Sequence, residues 1–281
     1  MPIYKANCKI NVHLRIVGKL PNGYHELETI FQEIPIYDEI EIVLNPTGKI
    51  NFDSSGIEIP DGGTNICVKS AEILKERYKI VHGCNIYLKK NIPIGAGLGG
   101  GSSDAATVLK ALNYLWELKL SDSELEKIGL ELGADVPFFI KGGCAIATGI
   151  GEKLTQIDTV LKGGYILLIY PNIHINTSEA YRNLNLNLTK NTSNGIFALA
   201  LNSSREIHLK YNEFINDFES YVFKEHGEIE RLKNALLNEG AEYASMSGSG
   251  SSVFGFFTDK IRMKKVKNLI DQNYYVKAVK V

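Results

Sequence analysis

Between Ala6 and Ile16 the chain alternates without a break. Ala6, Cys8, Ile10, Val12, Leu14 and Ile16 are apolar; Asn7, Lys9, Asn11, His13 and Arg15 are polar. That period of two predicts a half-buried strand with Lys9, Asn11 and His13 on one face. Pro21-Asn22-Gly23 then marks a turn, and the alternation of Tyr37 to Leu44 predicts a second strand. From Thr64 to Tyr78 the spacing becomes helical, with Ile66, Ala71 and Leu74 as core contacts. Cys84 to Pro93 predicts a strand that feeds directly into a glycine-rich loop. Asp104 to Leu118 predicts a helix with its apolar stripe on Ala105, Val108, Leu109, Leu112 and Leu115/Trp116. Ser121 to Phe139 is expected to be a further helix, opened by a Ser121/Glu124 capping box, with Gly133 where a helix stops.

The second half continues with a glycine-spiced hairpin over Gly142 to Leu154 and a buried strand over Gly164 to Pro171. The stretch 183–195 is polar, asparagine-rich and expected at the surface. Helical patterns follow at 196–201 and 228–237. Ser245 to Phe257 predicts a second glycine-serine loop between two strands. Strands and helices mix without a regular βαβ series, so the expected class is α+β.

Composition narrows the partners. Lysine and arginine number 31 against 32 acidic residues, a net charge of -1, which offers nothing to nucleic acid or a membrane surface by bulk electrostatics. Hydrophobic residues make up 44%, enough for an ordinary core. Cys8, Cys67, Cys84 and Cys144 form no Cys-x-x-Cys pair and are expected as reduced, buried thiols. The first ten residues lack the apolar run of a signal peptide, so the expected compartment is the cytoplasm.

The loop GAGLGGGSSDAA, Gly95 to Ala106, is the candidate chemistry. Glycines let a ligand approach the backbone, successive N–H groups can curl around an anion, and a helix N-terminus favours negative charge there by roughly 0.3–1 kcal/mol. Ser102 or Ser103 is expected to cap the helix, bind a phosphate oxygen or help hold a magnesium ion. Gly95-x-Gly97-x-x-Gly100 fits a dinucleotide fingerprint, but the loop comes late in the chain and its helix leads to another helix. A Walker loop ends in Gly-Lys-Ser/Thr, and no lysine stands between Ile94 and Val108. A tight strand–helix turn that binds nothing is the bland alternative. If phosphates bind, positive charge comes from elsewhere, and Lys9 is the best candidate.

Pro93 to Ala106 resembles the ATP-binding motif of the GHMP kinases, and SGSGSSVFG, Ser247 to Gly255, resembles that family's C-terminal glycine-rich motif. KANCKINVHLRIVGKLPNGYHELETIF, Lys5 to Phe31, together with GADVPFF, is similar to members whose acceptor alcohol is CDP-methylerythritol. The resemblance implies a two-domain fold, here 1–155 and 156–281, with ATP and the small-molecule substrate meeting in the interdomain cleft. It implies ATP and Mg2+ as cofactors, without metal ligands or oligomeric state. Pro93, Ile94, Gly95, Ala96, Gly97, Leu98, Gly99, Gly100, Gly101, Ser102 and Ser103 would hold ATP, with Asn65 near the adenine. Lys9 and Asp135 would be the catalytic pair, with Asn11 near the acceptor. Tyr24 would stack on the cytosine, His25 hydrogen-bond it, Phe31 line the pocket and Tyr181 stack from the other side. A mevalonate or homoserine acceptor carries no base for the Gly-Tyr-His segment to meet. A non-catalytic nucleotide-binding relative need not retain both Lys9 and Asp135.

Asp135 also invites a physical reading. Phosphoryl transfer needs a base that relieves the acceptor hydroxyl of its proton. Placed after a helix end, where the dipole disfavours a carboxylate, Asp135 reads as a locally costly residue. The alternative is a carboxylate that merely bonds backbone groups before Pro137.

Overall fold

The computed structural model describes residues 2–21, 23–60, 65–184 and 211–281. The helical pattern at 196–201 lies outside them, as does the asparagine-rich stretch from 185 on. Two compact units emerge: Met1–Cys8, Ile36–Ile94 and Gly99–Gly142 form one; Lys9–Pro35, Gly95–Leu98 and Gly143–Val281 form the other. Helices and strands contribute about equally, an α+β fold.

Two long strands run through both units. β1 spans Tyr4–Lys19 and β2 spans His25–Asn45. They pair, joined by a turn in which the Leu20 N–H donates to the Tyr24 carbonyl at 2.7 Å. The strand expected at Tyr37 to Leu44 is thus the second half of a longer one. β1 keeps the expected alternation but is not half-buried as expected. Lys9, Asn11 and His13 are at most 4% exposed. A polar face can be buried when its donors and acceptors are satisfied, and these have partners far along the chain.

In the first unit, β4 (Gly83–Lys90) pairs antiparallel with β2 from Glu39↔Lys89 to Asn45↔Gly83, and parallel with β3 (Ile50–Gly56). α1 (Ile66–Arg77) connects β3 to β4, and its N-cap is Asn65, whose side chain accepts from the Cys67 N–H. α2 (Gly100–Leu115) starts four residues before the expected helix. Its first half is buried almost all round, because Ala105 and Ala106 let neighbours approach closely. α3 (Asp122–Leu132) carries the expected capping box and ends at Gly133. The continuous helix expected to Phe139 is instead broken, and α4 (Val136–Lys141) begins anew with Pro137 in its first turn. Leu74, Leu109, Leu112, Ile128 and Phe138 form part of this unit's core, each contributing about 1.5–3 kcal/mol by burial.

In the second unit, β5 (Cys144–Thr148) pairs antiparallel with the first half of β2 and with β6 (Lys153–Gln156), the expected hairpin. A separate antiparallel sheet has the order β10-β7-β9-β8, built from β7 (Tyr165–Tyr170), β8 (Tyr243–Met246), β9 (Val253–Phe257) and β10 (Tyr275–Lys280). β8 and β9 flank the second glycine-serine loop, as the sequence predicts. Leu167, Ile169, Val253 and Phe257 join Leu14, Phe218 and Leu236 in one core with α5 (Thr177–Asn183), α6 (Glu219–Glu225), α7 (Gly227–Asn238) and α8 (Lys260–Leu269). All four cysteines are buried free thiols. Among the described residues, no helix is long and apolar enough to cross a membrane.

Candidate active site

The face of β1 that carries Lys9 is built by hydrogen bonds across long sequence distances. Lys9 Nζ donates to Asn11 Oδ1 at 2.6 Å and lies 4.8 Å from the centre of the Phe31 ring. Asn11 Nδ2 donates to Thr29 Oγ1 at 2.8 Å, and Thr29 in turn donates to the His13 carbonyl. These partners orient the Asn11 amide, leaving its oxygen toward the lysine. The Asn11 N–H donates to Ser247 Oγ, which donates to the Gly97 carbonyl at 2.8 Å. The Ser252 N–H donates to the Ala96 carbonyl, and the Lys9 N–H to the Leu98 carbonyl at 3.0 Å. Residues 96–98 of the glycine loop are therefore bound on one side by β1 and on the other by the loop between β8 and β9.

Gly97 must be glycine. Its φ is +77°, and a Cβ would stand 2.0 Å from the Ser247 carbonyl oxygen. Gly95 is also left-handed, at +67°, with the His174 ring against it. Across the second loop, Thr177 and Ser249 share a hydrogen bond at 2.8 Å.

In the first unit, Ile92 and Pro93 are buried and Ile94 is exposed. Gly99 is the left-handed N-cap of α2, without a side-chain cap bond. The expected capping by Ser102 or Ser103 is corrected: both lie inside the first turn. Gly101 and Ser102 face outward in part, whereas Ser103 is buried and donates to the Asn7 carbonyl at 2.6 Å. A serine hydroxyl inside a helix can bond a backbone carbonyl in place of capping. Ser102 Oγ lies 3.9 Å from where a Cβ on Gly133 would stand, beside the turn that leads to Asp135.

Asp135 occupies the N-cap position of α4, with its side chain making no cap bond. This reverses the dipole reading from sequence. A carboxylate at the start of a helix meets the favourable end of the dipole, not the unfavourable one. The break at Gly133, followed by Pro137 at the start of α4, is the local cause. Asn65, expected near an adenine, caps α1 with its side chain.

The aromatic residues of the expected base pocket lie in the second unit. His25 and Tyr181 are stacked, with ring centroids 4.7 Å apart and planes 16° from parallel. Tyr181 meets the buried Phe218 edge-on at 4.8 Å. Tyr24 is 60% exposed, a large aromatic ring at the turn between β1 and β2. Burial, assisted by Lys19, lowers the His25 pKa from its ordinary value, so its ring is neutral at neutral pH.

The GHMP kinases N terminal domain family matches residues 65–143, and the GHMP kinases C terminal family matches residues 196–276. A 4-diphosphocytidyl-2-C-methyl-D-erythritol kinase of Clostridioides difficile is 41% identical over 91% of this chain and 86% of its own. One from Clostridium novyi is 39% identical over 96% of each chain. The chain belongs to the 4-diphosphocytidyl-2-C-methyl-D-erythritol kinase branch of the GHMP kinases. A crystal structure of 4-(cytidine 5'-diphospho)-2C-methyl-D-erythritol kinase matches over the full length of both chains, with TM-score 0.77 and 27% identity.

For a GHMP kinase, two groups escape the sequence reading. Thr29 orients Asn11 from the neighbouring strand, and Ser247 ties Asn11 to Gly97 from 236 residues away. The glycine-serine run around Ser247 is visible in the sequence, but nothing local says which hydroxyl it offers to β1. The second group is a buried ion cluster of Lys90, Asp38 and Asp104, with Lys90 Nζ 2.5 Å from Asp38 and 2.6 Å from Asp104. Asp104 stands within the glycine motif itself.

Proposed function

We propose that the protein transfers the γ-phosphate of ATP to the 2-hydroxyl of 4-diphosphocytidyl-2-C-methyl-D-erythritol, a step of non-mevalonate isoprenoid precursor synthesis. Family membership supports the reaction class. The observation that carries the substrate is the aromatic group of Tyr24, His25 and Tyr181, which suits a base and has no use for a small aliphatic alcohol. Base–aromatic stacking contributes about 1–3 kcal/mol per base.

Residues 93–103 hold the ATP phosphates through backbone N–H groups, with the start of α2 adding its dipole. Asn65 lies at the adenine side. Lys9 supplies the positive charge the loop lacks, and its bond to Asn11 holds the ammonium in place. Asp135 takes the proton of the 2-hydroxyl, and Asn11 and Phe31 line the acceptor's place. Transfer is then a matter of in-line positioning and neutralised charge.

Mg2+ arrives on the nucleotide. Among the described residues no group of three or more His, Cys, Asp or Glu side chains is arranged to hold a metal ion. A magnesium ion on nucleotide phosphates needs only one or two protein oxygens. When bound, it offsets phosphate charge. The reaction is placed in the cytoplasm.

An ADP-release assay with Mg-ATP and a panel of alcohols tests the proposal. CDP-methylerythritol should turn over, and mevalonate and homoserine should not. Turnover of mevalonate without the cytidine compound would overturn the substrate reading.

A further inference from the structure

The loop's missing lysine draws the eye to one that is present but buried. Lys90 ends β4, directly before the glycine loop, and is 4% exposed. Its ammonium meets two carboxylates, Asp38 on β2 and Asp104 on α2, both nearly or fully buried. The three hold together the end of β4, the strand beside it and the first full turn of α2. The fit at that turn is tight. A Cβ on Gly100 would stand 3.1 Å from Lys90 Nζ.

The two carboxylates are not equivalent. Asp38 Oδ1 accepts the N–H groups of Asn91 at 2.5 Å and Ile92 at 2.8 Å, while its Oδ2 accepts from Lys90. Asp38 thus meets three donors. Asp104 accepts from Lys90 through Oδ2, and its buried Oδ1 has no hydrogen-bond partner. One ammonium cannot balance two buried carboxylates, and the carboxyl with fewer donors is where a proton goes.

We propose that Asp104 is a positioning residue for the nucleotide: a neutral carboxylic acid, bonded to Lys90, that fixes the first turn of α2 while keeping the cluster beneath it without net charge. This rests on the reading that nucleotide phosphates bind at the glycine loop. A negative cluster under the helix N-terminus would work against the dipole that favours those phosphates. The neutral acid keeps the strut and removes the repulsion.

The groups facing Asp104 are consistent with this. Burial pushes its pKa up, with Lys90 opposing and Asp38 adding, to about 8. Lys90 stays charged: burial works against the ammonium, but Asp104 and Asp38 together hold it above its ordinary value. Cys67 on α1 also faces the cluster, and burial above all keeps its thiol protonated. The cluster thus gains one negative charge as pH rises through about 8.

Mg-ADP binding, measured by calorimetry across about pH 7 to 9.5, tests the inference without depending on the acceptor alcohol. Wild-type affinity should hold at neutral pH and fall several-fold above about pH 8. Asp104→Asn, a neutral isostere, should bind like wild type at neutral pH and lose that fall. Asp104→Ala should bind several-fold more weakly at neutral pH and raise the KM for ATP, with the KM for the acceptor unchanged. Asn binding as poorly as Ala at neutral pH would overturn the inference, since it would mean the carboxylate charge is needed. So would a flat wild-type profile, which decides the matter even if neither variant folds. Failure of wild type to bind Mg-ADP at any pH would instead overturn the nucleotide reading of the loop.

Discussion

Lys9 Nζ donates to Asn11 Oδ1 across 2.6 Å, so the catalytic candidate and its neighbour two residues on are coupled on one face of β1. The lysine's stem is buried and its head lies near the Phe31 ring. Lys9→Met keeps most of that stem and removes the charge. We expect kcat to fall by about two to three decades, as for loss of one preorganised electrostatic donor. Steady-state kinetics checks this; a variant with wild-type kcat would remove Lys9 from the chemistry.

Asp135 should behave as a base and not as a binding group. Asp135→Asn retains the shape of the α4 start and cannot accept the proton. Nucleotide binding should be kept while the rate drops by about two to four decades. Single-turnover kinetics beside a nucleotide titration separates the two effects, and full activity would end the assignment.

Tyr24 and Tyr181 should differ in a way their surroundings dictate. Tyr24→Ala should raise the KM for the cytidine substrate by about tenfold or more with the melting temperature unchanged, because the ring is largely exposed. Tyr181→Ala should raise the same KM and also lower the melting temperature, because its ring packs on Phe218. The KM for ATP should not move in either. An equal loss for ATP would place these rings elsewhere.

Acid sensitivity should come in part from His13. Burial, with Arg15 adding, lowers its pKa to about 4. Its Nδ1 accepts the Ile215 N–H at 3.2 Å, which fits the neutral ring. An unfolded chain binds this proton below about pH 6.5 and the fold does not until about pH 4, so stability falls as pH drops through that window. The full loss is roughly 3 kcal/mol. Denaturation midpoints of His13→Asn should show a flatter profile between those pH values, and an unchanged slope would exclude His13 as the source.

Gly97→Ala should cost stability as well as activity. The left-handed backbone and the 2.0 Å approach of a Cβ to the Ser247 carbonyl act together, and we expect a loss of roughly 3 kcal/mol or more. Gly101→Ala is the control, since a Cβ there meets nothing within 4 Å. Chemical denaturation of both variants decides it: equal midpoints would show that residues 97 and 247 do not pack this way.

What could be read from the sequence was what is local. The alternation of β1, the Ser121/Glu124 capping box and the strands around the glycine-serine loop all depend on neighbours within a few residues. The burial of the β1 polar face was not legible, because Thr29 and Ser247 supply the partners from another strand and from 236 residues along the chain. The start of α4 was legible but misread. Gly133 ends one helix and Pro137 suits the first turn of another, a pairing that puts Asp135 at a helix beginning. The Lys90 cluster gave no signal, since its three charges are spread over two strands and a helix.

The bonds from Ser247 to Gly97 and Asn11, and from Ser252 to Ala96, also order events in time. Residues 96 and 97 are synthesised in the first half of the chain, yet their partners leave the ribosome only near its end. A nascent chain released at residue 240 would carry the whole glycine motif without the hydroxyl and amide that shape it. The glycine loop therefore cannot reach these final hydrogen bonds until residue 252 has been made.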